Sequence, residues 1–383
     1  MKLSKKTFVI PLQRTANNFV DKDVQSMFLP LNLMQYMMCC PKYRIQNNYI
    51  SPNKFFSNFI SFIATIVFNL VFVHRCYTMA TTTDDYRYTT FMNIAAFIDC
   101  IYYSFGFTLN FFIGIISSKS NIEFVLCFQN VHRFLNIDKF GLRRFTYMNW
   151  VCVIMAFCIY MIPFTYFCSQ LTYYVVYGDY FLMFFDFNTL YTIRMLKLLE
   201  DKVIEWQIRL LKSRGIKNCC NNMESYEMFQ NFANILECYN IFKSCFQHYM
   251  LYYIVEVFIH SLIYIQVMID TCNVDKNFNR ASVASVTIYC WMIKDFMWQT
   301  TLSYQCEKLY VAIQSVQDTC TSILRSNCSE NDRKAYKNVL RLHRASFSKI
   351  RVCGLFYVDL GLQLTMMNLL TNYIVVILQF AYL

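Results

Sequence analysis

The stretch FFSNFISFIATIVFNLVFVH, Phe55 to His74, runs without a single Asp, Glu, Lys or Arg. A helix of about 20 apolar residues crosses the hydrocarbon of a bilayer. Six further windows have the same character: 91–117, 147–168, 171–195, 247–270, 283–305 and 357–383. The window 171–195 is the least apolar, because it carries Asp179, Asp186 and Arg194. Only Ser169 and Gln170 separate it from the window before, which predicts a tight helical hairpin.

Composition agrees with this. The chain is 56% hydrophobic and 15% charged, against roughly 45–50% and about 25% in soluble domains. Only seven Gly and five Pro occur in 383 residues, so long helices are favoured over a strand-rich barrel. The expected fold is an all-α membrane protein with seven transmembrane helices at 55–74 and the six windows above, extended by helices in the cytoplasm.

Lys and Arg set the orientation, because basic loops stay in the cytoplasm. Twenty-nine of the 35 fall in 1–54, 118–146, 196–246 and 306–356, which lie on one side. Only Arg75, Arg87, Lys276 and Arg280 fall on the other. The N-terminus is therefore expected inside and the C-terminus outside. The opening MKLSKKTFVIPLQRT has too short an apolar run, broken by Pro11, for a secretory signal. A net charge of +11 is explained by basic loops facing cytosol and anionic lipid, with no nucleic-acid partner. The same orientation argues against a G-protein-coupled receptor.

Most of the 18 cysteines fall in spans or cytoplasmic loops and are expected as free thiols. Cys76, Cys168 and Cys272 lie near the outer face, where one disulfide remains open. The sequon at Asn327 is on the cytoplasmic side and is expected to be unused.

No P-loop, H-E-x-x-H, G-x-S-x-G or kinase signature occurs. The five His have no metal-ligand partner at helical spacing, so no enzyme, metal or cofactor is expected. Asp99, Glu256, His260, Lys294 and Asp295 lie within spans and are functional candidates, each equally readable as a structural clamp. Lys294 and Asp295 are neighbours, expected to point apart and not to pair.

From Tyr304 to Leu324 the helix continues into the cytoplasm with a seam of Leu309, Ile313, Val316, Cys320 and Ile323. Tyr336, Leu340, His343, Phe347 and Ile350 repeat the spacing. Two such seams predict a helical hairpin or bundle under the membrane.

In the last helix, Thr365, Asn368, Asn372 and Gln379 fall on one stripe, with Val375 and Val376 between and Leu383 a turn beyond. A polar stripe in a spanning helix must face protein or water. Either the amides fasten this helix to its neighbours, or several copies line a pore whose constriction is set by amide and apolar rings.

The stretch CGLFYVDLGLQLTMMNLLTNYIVVILQF, Cys353 to Phe380, resembles the C-terminal signature of insect gustatory receptors: Thr-Tyr, five apolar residues, Gln-Phe. Tyr373, the run Ile374 to Leu378, Gln379 and Phe380 match; Asn372 replaces the Thr, with Thr371 one earlier. Gly354, Phe356, Asp359 and Leu360 fit the approach to that helix, and Met27–Tyr43 is similar to the family's pre-membrane segment. The resemblance implies a ligand-gated, non-selective cation channel in the plasma membrane, on the dendrite of a sensory neuron. It implies a homo- or hetero-tetramer with other gustatory subunits around the last helix, surrounded by membrane lipid. Gln379 would sit at the constriction, with Tyr373 and Phe380 fixing the helix and the cytoplasmic seams joining the subunits. Residues 1–54 become a cytoplasmic segment, 55–305 the ligand-binding domain, 306–356 the cytoplasmic anchor and 357–383 the pore helix.

A small tastant would enter a pocket walled by Tyr102, Tyr103, Tyr160, Tyr166, Tyr174, Tyr177, Tyr264, Tyr289 and Trp291, any of which is also readable as membrane-interface belt or core. Sugar-sensing members carry Glu after the motif Tyr; Ile374 stands here, which favours a bitter or other tastant. The nearest alternative is an insect odorant receptor subunit. A transporter would show internal repeats or broken helices, and neither occurs.

Overall fold

A computed structural model describes residues 18–82, 86–135, 139–168, 173–215, 222–274, 278–325 and 329–382. The chain begins with α1 (Lys22–Met37), which sets Val24, Met27, Phe28, Leu31 and Met34 against α5 and α6. A bidentate Arg133–Asp21 pair at 2.7 and 2.8 Å fastens its start to α4. The hairpin β1 (Arg44–Gln46) and β2 (Tyr49–Ser51) follows, antiparallel. Its two turn residues, Asn47 and Asn48, both take positive φ, which short amide side chains tolerate.

The long helices come next: α2 (Phe55–Thr82), α3 (Tyr86–Ile116), α4 (Ser118–Leu135), α5 (Lys139–Cys168), α6 (Tyr173–Gly215), α7 (Asn222–Val274) and α8 (Phe278–Arg325). Then come α9 (Glu330–Ser346), a two-residue hairpin of β3 (Arg351–Val352) with β4 (Phe356–Tyr357), and α10 (Leu360–Tyr382). Helices α6, α7 and α8 are 43, 53 and 48 residues long. At 1.5 Å per residue each reaches roughly 65–80 Å, more than twice the bilayer core. They therefore run on from the apolar layer into a second, polar-surfaced bundle.

Among the described residues, five helices are long and apolar enough to cross a membrane, at Phe55–Thr78, Ile94–Ile116, Gly141–Met161, Ser225–Ile269 and Leu360–Gln379. The expected crossings at 171–195 and 283–305 are not in that set. Helices α6 and α8 have the length, but Asp186, Arg194, Lys294 and Asp295 lower their hydropathy. Helix α2 carries apolar side chains on its outside, Phe55 being 86% exposed, a surface suited to lipid rather than water.

Several boundaries differ from the sequence expectation for one reason. Hydropathy marks where the membrane ends, and a helix ends only where a breaker or a cap stops it. So α7 begins at Asn222 rather than 247, and α5 at Lys139 rather than 147. The expected loop 118–146 contains α4, which packs Phe124, Val125, Phe128 and Val131 on α7 and its surroundings.

The α8 seam is filled within the chain. Leu309, Ile313, Val316, Cys320 and Ile323 are all buried, with α6, α7 and α9 packed around this helix. Gln207 of α6 donates to the Ala312 carbonyl and Ser315 Oγ, holding the two helices in register. Those five side chains are therefore not a surface that joins copies. Val311 and Tyr304, on the outer side of the same helix, are exposed.

Candidate functional site

One face of α7 carries Tyr249, Tyr253, Glu256 and His260, at steps of four, three and four residues. All four are buried. Helix α3 sets Asp99 and Tyr103 opposite, α6 brings Phe185 and Asp186, and α8 brings Trp291, Lys294 and Asp295. Between them lies a small, partly open pocket, lined by Tyr103, Asp186, Tyr253, Glu256, Trp291 and Lys294 among others.

Two charge clusters border it. Lys294 Nζ stands 2.8 Å from Asp186 Oδ2 and 2.9 Å from Asp295 Oδ1. It also sits 3.8 Å above the Trp291 ring and 5.5 Å from that of Tyr160. Tyr253 donates its hydroxyl to the other Asp186 oxygen at 3.4 Å. In the second cluster His260 stacks on Tyr103, centroids 4.7 Å apart and planes 13° from parallel. Its Nδ1 lies 3.1 Å from Glu256 Oε1 and its Nε2 2.9 Å from Asp99 Oδ1. The Asp99 approach is a close charge contact without hydrogen-bond alignment. Four carboxylates thus face one Lys and one His in a low-dielectric interior, where an unpaired charge is expensive.

Close approach of α3 to α7 depends on Gly106. A Cβ there would collide with the Tyr252 ring and lie 2.8 Å from Phe185. Tyr252 is itself held, donating to the Tyr102 carbonyl at 3.1 Å.

Of the aromatic candidates, the structure brings Tyr103 and Trp291 to the cavity, with Tyr160 beside Lys294, Tyr102 within 5.9 Å of His260 and Tyr264 within 5.7 Å. Tyr289 is exposed and stands away from it. The side chains of Tyr166, Tyr174 and Tyr177 lie outside the described residues. Two expectations are corrected. Lys294 and Asp295 do pair, because the long lysine stem bends back to meet its neighbour while also reaching Asp186. His260 does have a carboxylate at helical spacing, Glu256. Among the described residues no group of three His, Cys, Asp or Glu is arranged to hold a metal ion. Tyr253 and Asp186 were missed as wall residues; the 249–253–256–260 spacing was the available signal for the first.

The second half of the site is α10. Asp359 caps it, accepting from the Leu362 amide at 3.1 Å. Its inward face is Gln363, Met366 and Leu370, all buried, followed by the half-buried Tyr373 and Ile377. These pack toward α7 and α8, and Gln299 Nε2 meets Met366 Sδ at 2.7 Å. At 100° per residue, Thr365, Asn368, Asn372 and Gln379 fall on a different face, roughly opposite. All four are exposed in the single chain, as are Val375 and Val376. The reading in which these amides fasten α10 to its own bundle is thereby excluded. The side chain of Phe380, and Leu383 altogether, lie outside the described residues.

The segment leading into α10 is pinned from both long helices. Tyr310 of α8 donates to the Val358 carbonyl at 3.0 Å and accepts from the Ile350 amide at 3.1 Å. Tyr239 of α7 donates to the Ser348 carbonyl at 2.7 Å. Lys349 stands 3.3 Å from both Glu307 and Asp359. Burial opposes its charge, but hydrogen bonds to the two carboxylates outweigh that and raise its pKa.

No protein-family profile matches the sequence, and no curated protein matches it either. Structural comparison does find relatives of the fold. The insect olfactory receptor OR5 from Machilis hrabei superposes with a TM-score of 0.55 at 11% identity, covering 94% of this chain and 100% of that one. The architecture described above, a multi-pass helical membrane bundle continued into a second bundle, is therefore similar in overall fold to that receptor.

Proposed function

We propose that the chain is a subunit of a ligand-gated, non-selective cation channel of the insect chemoreceptor class, gustatory in type and tetrameric. The observation that carries this is the outward polar face of α10. Amides at 368, 372 and 379 cannot rest against lipid tails, and they do not face the chain's own bundle. Copies of α10 around a water-filled axis satisfy them.

In this reading α2, α3, α5, α6, α7, α8 and α10 make seven crossings, with the N-terminus in the cytoplasm as the Lys and Arg distribution favours. The charges of α6 and α8 point into the cavity between helices, where an intramembrane charge is tolerated. A small tastant occupies that cavity among α3, α6, α7 and α8. Its binding favours the open state by differential affinity. Movement of α8 passes to α10 through the Gln299–Met366 contact and widens the ring at Gln379. The chain acts by binding and gating, not by catalysis.

The olfactory likeness raises a second reading, an odorant receptor subunit, since that fold is the one matched. The Tyr373–Gln379–Phe380 spacing favours the gustatory side. The test is current recording from cells expressing the chain alone, under a panel of tastants and volatile odorants, with a non-hydrolysable GDP analogue in the pipette. Current that survives the analogue and responds to tastants supports the proposal. Current abolished by it returns a G-protein-coupled receptor, and current evoked only by volatiles selects the odorant reading.

A further inference from the structure

His343 is the polar member of the α9 seam, between Leu340 and Phe347. It is 5% exposed, and neither ring nitrogen has a hydrogen-bond partner among the described residues. A buried polar ring without partners is costly, and an apolar side chain would fill this position without that cost. Helix α9 packs on α7 and α8. Among the described residues the charged groups that act on His343 are Arg344 of α9 and Asp318 of α8. The Ile313 carbonyl of α8 lies near, without hydrogen-bond alignment. From α7 the titratable side chain at this point is Tyr239, across the Phe347 ring. Burial first, and then Arg344, hold the imidazole below its ordinary pKa of 6.5, against Asp318 and the Ile313 carbonyl, which pull it up. The packed ring is therefore neutral near pH 7.

The contacts of this ring lead to the pore helix. The rings of His343 and Phe347 lie 5.2 Å apart, centroid to centroid. Phe347 meets Tyr239 of α7 at 5.7 Å and Tyr310 of α8 at 6.3 Å. These are the two tyrosines that hold the segment leading into α10, Tyr239 at the Ser348 carbonyl and Tyr310 at the Ile350 amide and the Val358 carbonyl. A proton on His343 puts a charge where burial disfavours it. The charge is relieved by moving the ring toward water, and that movement carries Phe347 away from both tyrosines.

We propose that His343 is an acid-sensitive switch: its protonation drives the ring out of the seam and loosens residues 347–358 from Tyr239 and Tyr310. In the released seam a solvated His343 binds a proton with ordinary affinity, and in the packed seam it binds one more weakly. Lower pH therefore favours release, by up to about tenfold for each pH unit between 6.5 and the packed-state value. That the acid acts from the cytosol and alters pore opening rests on the channel reading above; the release itself does not.

The test uses the full chain in lipid nanodiscs, without ligand or current. Hydrogen–deuterium exchange of peptides covering 347–358 is measured at pH 7.5 and 5.5, each corrected for the intrinsic exchange rate. The reporters are the amides of Phe347, Ile350, Leu355 and Val358, bonded to the His343 carbonyl, the Tyr310 hydroxyl, the Val352 carbonyl and the Ile350 carbonyl. Their protection should fall by roughly three- to tenfold at pH 5.5. In His343→Gln and His343→Phe the position cannot take up a proton, so protection should be the same at the two pH values. His343→Phe also removes the two orphaned nitrogens, which keeps the test decisive should His343→Gln not fold. His132→Gln should keep the full response. Protection that does not change with pH in the unaltered chain, or that falls equally in His343→Phe, overturns the switch.

Discussion

Gln299 of α8 and Met366 of α10 touch at 2.7 Å, both out of solvent. Gln299 lies about one helical turn from Lys294 and Asp295, which border the ligand cavity, while Met366 is on the inward face of the helix proposed to line the pore. The contact is a direct mechanical link between them. Gln299 Oε1 has no partner, so the amide is retained at some cost to stability. We expect Gln299→Leu to leave the Tm unchanged or raise stability by about 1 kcal/mol, because it removes an orphaned acceptor. In the same variant the maximal ligand-evoked current should change without a matching change in ligand binding. Unaltered gating would remove α8 as the transmission element.

Lys294 is the only Lys or Arg paired with Asp186 and Asp295 among the described residues. Lys294→Met would leave both carboxylates buried without a cation, a loss on the order of 3–5 kcal/mol. Adding Asp186→Asn should restore a large part of it. The double-mutant cycle, read by thermal unfolding in nanodiscs, should show coupling above about 1 kcal/mol; additive effects would contradict the pairing.

Gly106→Ala sets two effects against each other. Alanine improves helix propensity by about 1 kcal/mol. The added methyl drives into the Tyr252 ring, which Phe185 and the Tyr102 carbonyl hold in place, and overpacking costs roughly 1–3 kcal/mol. The net expectation is a lowered Tm and a displaced cavity wall. A Tm raised by the substitution would show that α3 and α7 do not approach this closely.

His132 of α4 makes stability depend on pH. Burial first, and then the neighbouring Lys202, push its pKa down to about 4 from an ordinary 6.5, although Asp23 and Asp21 pull the other way. The imidazole is therefore neutral in the folded chain over a range where the unfolded chain binds a proton. Stability should be complete above pH 6.5, fall as the pH drops toward 4, and level off below. Allowing for partial exposure, the loss by pH 5 is about 1 kcal/mol. His132→Gln should flatten that part of the unfolding profile, and an unchanged slope would assign it to other groups.

Much of this was legible in the chain because it depends on spacing along a single helix. The outward stripe of Thr365, Asn368, Asn372 and Gln379 needs only the helical period. The α8 seam from Leu309 to Ile323 was read the same way, but its partners are helices of its own chain, which periodicity cannot specify. Asp186 was visible as an awkward charge in an apolar window. Its role was not, because Lys294 lies 108 residues away and only the fold brings them together.

The central claim is that the polar face of α10 meets other copies of itself around an aqueous axis. Single-particle imaging of the full chain in lipid nanodiscs tests it most directly. The account predicts a fourfold particle in which Thr365, Asn368, Asn372 and Gln379 point toward the shared axis and Met366 and Leu370 point into each subunit. A monomer, or an assembly in which those amides face lipid, would contradict it.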